Sequence, residues 1–133
     1  MTQDVISVIE KCSAASIGGE ISFGEVVMRL MAVGVERYYA DYVRGETVYY
    51  LPDGSWHAVP LKLAIPVIAD AFVASGVEQA VRGAQRGEVK YPEFVTKTCA
   101  AGCVGYFVLI AGARVQYFGR RGEMHVELFP RKS

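Results

Sequence analysis

The chain has 133 residues, fourteen basic and fourteen acidic side chains that cancel to a formal net charge of zero, and a hydrophobic fraction of 52 %. That length suits one domain spanning residues 1–133, able to bury roughly two thirds of its unfolded surface without a disulfide or metal staple. The composition excludes a disordered chain, and the balanced charge argues against nucleic acid as main partner, because such affinity comes from clustered Lys and Arg.

The most apolar stretch, residues 59–77, is interrupted by Lys62, Pro66 and Asp70. It falls short of the ~20 apolar residues of a spanning helix, so no membrane partner is expected. The cysteines number three, an odd count, and Asp4 and Glu10 interrupt any secretory pattern at the start. A reducing cytoplasm is the simplest compartment for such a chain.

Taken in order, Val5, Val8, Ile9 and Cys12 form one stripe and predict a helix over 4–15, stopped by Gly18 and Gly19. Ser22 and Glu25 make a capping box for a second helix, whose apolar face is Val26, Val27, Leu30 and Met31 and whose end is Gly34. Residues 37–43 and 47–51 read as strands around an Arg44-Gly45-Glu46 turn. Pro52-Asp53-Gly54 then turns the chain into a third strand over 56–59, with an extended piece at 61–69. Asp70 is the expected cap of a third helix running to Arg86 and closed by Gly87. A fourth helix has Pro92 and Glu93 in its first turn and ends at Gly102. Strands at 106–110, 114–118 and 124–128 follow, and residues 130–133 read as a frayed tail.

The second half repeats the first. Sliding the chain by sixty-eight positions lays 5–59 on 73–127, and thirteen of the fifty-five pairs are identical, among them Glu10/Glu78, Gly34/Gly102, Tyr38/Tyr106, Tyr49/Tyr117, Gly54/Gly122 and His57/His125. Random pairing gives about four. The glycines fall on turns and helix ends and the tyrosines on strands, as a backbone path used twice requires. The expected fold is therefore α+β: a tandem duplication of an α-α-β-β(-β) unit with an antiparallel sheet, helices on one face and a pseudo-twofold axis. The seam between the halves is a natural place for a pocket.

The only histidines, His57 and His125, hold equivalent places after the tight turns. If symmetry brings them together they form an acid/base pair or two metal ligands; otherwise they are inherited strand-edge residues. Cys99 and Cys103 lie one helical turn apart, but no CxxC pair accompanies them, so core packing is the simpler role. No cofactor or metal set is implied. The aromatic residues come as neighbours along the strands, as in Tyr38-Tyr39, Tyr49-Tyr50, Tyr106-Phe107 and Tyr117-Phe118, so one member of each pair faces the helices and the other faces out. An outward aromatic face suits self-association as a homodimer, or an apolar small ligand. Tyr38, Tyr49, Tyr106 and Tyr117, with the two histidines, are the candidate ligand-binding residues; no catalytic residue is assigned. Arg82, Arg86 and Lys90 suggest a basic corner that is more simply a solvated helix end, and no P-loop, GxSxG or dinucleotide glycine fingerprint is present.

Gly34-Val35-Glu36-Arg37-Tyr38 and Tyr49-Tyr50-Leu51-Pro52-Asp53-Gly54, continuing through Ala69-Asp70, Gln85-Arg86-Gly87, Gly102-Cys103 and Gln116-Tyr117-Phe118, resemble the signature of a bacterial family catalogued as domain of unknown function 1398. Its members are often labelled phage envelope protein, a label this composition does not support. The resemblance implies a small bacterial protein with no established activity. The expected function is that of a non-enzymatic binding or protein-interaction domain; the alternative is a minor hydrolase or isomerase with its site at the seam.

Overall fold

The computed structural model describes residues 1–130, so most of the tail expected to fray lies outside the described residues. The elements are α1 (Gln3–Ile17), α2 (Phe23–Ala32), β1 (Arg37–Asp41), β2 (Glu46–Tyr50), β3 (Trp56–Pro60), α3 (Ala74–Gln85), α4 (Tyr91–Ala100), β4 (Cys103–Leu109), β5 (Arg114–Gly119) and β6 (Met124–Leu128). The fold is α+β: four helices and a six-stranded, fully antiparallel sheet of order β3-β2-β1-β4-β5-β6. On one face α1 lies over β3, α4 against β4 and α3 over β6.

Local chemistry fixes most element ends. Thr2 starts α1 by accepting the Val5 amide proton at 3.3 Å, and Ser22 does the same for Glu25 at 3.3 Å. The second half of the expected capping box is not made, because the Glu25 carboxylate takes Arg29 one turn on, at 2.9 Å. β1 stops at Asp41, whose carboxylate accepts the Val43 and Arg44 amides at 3.0 and 3.1 Å and bends the chain before residue 43.

The third helix corrects the sequence reading. It begins at Ala74, with no side-chain cap on Val73. Asp70 is instead engaged by the Arg121 guanidinium at 3.0 Å, which holds the β5–β6 turn to the connecting segment. That segment, 61–73, joins no strand; it crosses the end of α4, where the Ala69 and Val73 amides donate to the Cys99 and Ala101 carbonyls at 3.0 and 2.8 Å.

Side-chain alternation gives the sheet two different faces. The helix-facing side carries two cross-strand rows, His57-Tyr49-Tyr38-Val108-Val115-Glu127 and Val59-Thr47-Ala40-Tyr106-Tyr117-His125. Most of these residues are buried with Ile9, Leu30, Val77 and Val95 of the helices. Three tyrosine hydroxyls inside this layer are paired: Tyr42 with Thr98 Oγ1, and Tyr91 with Tyr106, each at 2.8 Å. Pairing matters there, because a buried unsatisfied hydroxyl costs about 1–3 kcal/mol. Burial pushes the Tyr91 hydroxyl up to about 12, so it stays neutral.

All three thiols are free and buried, and burial raises Cys99 and Cys103 to about 11. A thiol that holds its proton and is hidden from solvent does not attack. A colorimetric disulfide reagent at about pH 8 is therefore expected to label none of the cysteines in the folded protein and all of them in denaturant; rapid labelling of the native chain would contradict the packing described.

Candidate functional site

The structure does not bring the two histidines together. β3 and β6 are the opposite edges of the sheet, five strand spacings apart, which places His57 and His125 on the order of 20 Å from each other. Of the two readings the strand order leaves the second: both histidines are edge-strand residues, and they form no paired site at the seam. On the helix side the seam between β1 and β4 is filled by Tyr38, Ala40, Tyr106 and Val108, each at most 6 % exposed.

The other candidates are placed differently from one another. Tyr38 packs on Tyr49 with ring centroids 5.2 Å apart, and Tyr106 on Tyr117 at 5.5 Å. All four are the buried members of their pairs. The residues that face out are their neighbours Tyr39, Tyr50, Phe107 and Phe118. Two open hollows, of about 430 and 750 Å³, lie beside Tyr42, Ile65 and Arg120 and between α3 and α4, and neither is lined by a histidine.

Each histidine lies near a glutamate from the helix above it. His57 Nε2 lies 3.2 Å from Glu10 Oε2, at an exposed edge. At the other edge the constellation is larger. His125 and Glu127 alternate onto the helix-facing side of β6, and Glu78 and Arg82, one turn apart, project from α3 above them. His125 Nε2 is 2.6 Å from Glu127 Oε2, and Arg82 Nη1 donates to Glu127 Oε1 at 2.8 Å. One donor atom each from Glu78, His125 and Glu127 lies within 4.8 Å of the others. The site reaches solvent through Glu78, whereas the side chains of His125 and Glu127 are 16 % and 10 % exposed.

Burial tends to raise the pKa of Glu127, but the Arg82 and His125 contacts outweigh it and hold the carboxyl below its usual range. A carboxyl depressed in the folded state adds stability above its unfolded pKa and loses it as the pH falls through the folded value. Glu127→Gln is therefore expected to cost about 1 kcal/mol near neutrality, discounted because the Arg82 side chain is 43 % exposed, and distinctly less at about pH 3, as the carboxyl takes up its proton. Urea titrations of metal-free protein at the two pH values check this; an equal loss at both would assign the effect to packing.

The sequence reading missed Glu78, Arg82 and Glu127 as a group, because they join through tertiary packing of α3 on β6. One signal was available: Glu10/Glu78 and His57/His125 are both repeat-matched pairs, so the helix and the edge strand kept a partner in common.

Among the described residues no helix is long and apolar enough to cross a membrane. No curated protein matches the chain. The model of the family described as "Protein of unknown function (DUF1398)" matches residues 14–127, most of the chain and nearly the whole sheet, and the chain therefore belongs to that family.

Proposed function

We propose that the chain is an internally duplicated binding domain whose open sheet face receives a second copy of itself. The observation that carries this is the composition of the face turned away from the helices. Its middle row is Ala58-Val48-Tyr39-Phe107-Gln116-Val126, flanked by Trp56-Tyr50-Arg37-Leu109-Arg114-Leu128 and Pro60-Glu46-Asp41-Gly105-Phe118-Met124. Trp56 and Leu128 are 64 % and 66 % exposed at its edges. Apolar surface gathered this way marks an interaction site.

The duplication is supported by more than sequence identity. α2 and α4 begin and end at positions sixty-eight apart, as do β3 and β6. The same shift relates the positive-φ residues Gly19/Gly87, Gly34/Gly102, Gly45/Ala113 and Gly54/Gly122. In the central ladder it exchanges the pairs Tyr38↔Val108 and Ala40↔Tyr106 and returns Tyr39↔Phe107 to itself, as a twofold axis through that pair requires.

A second copy fits this surface for reasons of charge and size. The cations Arg37, which lies over the Tyr50 ring and beside Glu36, and Arg114 stand in one outer row, and the anions Asp41 and Glu46, the latter paired with Arg44, in the other. A twofold axis along the middle row lays one outer row over the other, so Arg37 faces Asp41 of the copy and Phe107 faces Phe107. The face measures roughly 24 by 17 Å, and stacking two such sheets about 10 Å apart removes roughly 800 Å² from water, the size of a small, readily dissociating interface. The free thiols fit the reducing cytoplasm expected from the sequence. Sedimentation equilibrium at about 10 µM should give the mass of two chains, since a useful self-complex must form at micromolar concentration. A monomer there would overturn the proposal.

A further inference from the structure

We infer that Glu78, His125 and Glu127 bind a divalent transition-metal ion of the zinc class, in a cleft between α3 and β6 that is separate from the proposed dimer face. The donor set is one imidazole and two carboxylates, which suits zinc, with the fourth position open to water through the exposed Glu78. The donor atoms already lie within 4.8 Å of one another. Ligands about 2.0–2.2 Å from a zinc ion stand roughly 3.3 Å apart, so closing the set takes an inward movement of the exposed Glu78 side chain and a slight opening of the 2.6 Å His125–Glu127 pair. Binding replaces the His125–Glu127 hydrogen bond with two bonds to the ion.

Two further observations point the same way. Arg82 holds Glu127 by Oε1 and leaves Oε2 aimed at His125, the arrangement by which an outer partner orients a ligating carboxylate. The other sheet edge supplies an internal comparison. It keeps the glutamate and histidine, Glu10 and His57, but carries Val59 and Ala14 where the second half has Glu127 and Arg82. The donor that completes the set and the cation that orients it are present together at one edge and absent together at the other.

The test is calorimetric titration of zinc chloride into the chelator-stripped full chain. One ion per chain is expected, with affinity falling more than roughly tenfold in Glu78→Gln and His125→Ala and unchanged in His57→Ala. Glu78 is exposed, so its variant tests the site without threatening the fold. Cobalt in place of zinc should give visible ligand-field bands with no thiolate charge-transfer band. The inference is overturned if the native chain takes up no zinc at about millimolar concentration, if Glu78→Gln and His125→Ala bind as the native chain does, if His57→Ala weakens binding as much as His125→Ala, or if a thiolate band assigns the ion to the cysteines.

Discussion

Gly102→Ala is expected to destabilise the protein by about 3–5 kcal/mol, a large share of the roughly 5–15 kcal/mol that holds a domain together. Gly102 has φ +83°, and a Cβ placed there would stand 2.2 Å from the Ala71 carbonyl oxygen and 2.8 Å from Phe72 Cα. Those are backbone atoms of the connecting segment, tied down on both sides by the Ala69 and Val73 amides, so they have little room to give. The repeat provides the control. Gly34, sixty-eight positions earlier, has φ +87° with nothing within 4 Å of the same Cβ, so Gly34→Ala should incur only the conformational penalty of about 1 kcal/mol. Urea unfolding of both variants checks the contrast, and equal losses would mean that the connecting segment does not press on the end of α4.

The pair also shows where the sequence could be read and where it could not. Both glycines were legible as helix ends, because a left-handed residue after an apolar stripe leaves the same trace wherever it occurs. The crossing of 61–73 over one of them was not, since that segment has neither period and its contacts lie with α4. Asp70 illustrates the same limit: its position suggested a cap, but an arginine fifty-one residues away claimed it. The alternation of Tyr38-Tyr39 and its counterparts foretold two sheet faces correctly.

What alternation cannot give is strand order. Pairing β1 with β4 at the centre makes β3 and β6 the edges, and that one long-range choice separates the histidines. It also turns each of them toward its own helix glutamate. The larger cluster was hidden for a related reason: Glu127 stands opposite Val115 in the sheet and replaces a valine of the first half, so neither its neighbours in sequence nor its repeat partner announced a carboxylate beside His125.

Phe107→Glu carries the other large effect, on the proposed self-association. Phe107 sits at the centre of the outward face with its ring centroid 4.8 Å from that of Tyr39. On an axis along the middle row it meets its own counterpart, so one substitution sets two carboxylates against each other in an interface that excludes water. A buried unpaired charge costs about 3–5 kcal/mol, which corresponds to a dissociation constant raised roughly 100-fold to 4,000-fold. The folded monomer should lose only about 1 kcal/mol, because the side chain is half-buried and its main loss is one aromatic contact.

Charge reversal tests the geometry itself. Arg37→Glu and Asp41→Arg should each weaken the dimer by repelling the copy's unaltered partner, and the double variant should recover much of the loss because the pair is restored in the opposite sense. Sedimentation of all four chains across a dilution series reads both effects. Recovery in the double variant is the mark of residues 37 and 41 of the two copies meeting; two additive losses, with urea unfolding of each variant showing the turn after Asp41 intact, would leave the face apolar but place the axis elsewhere.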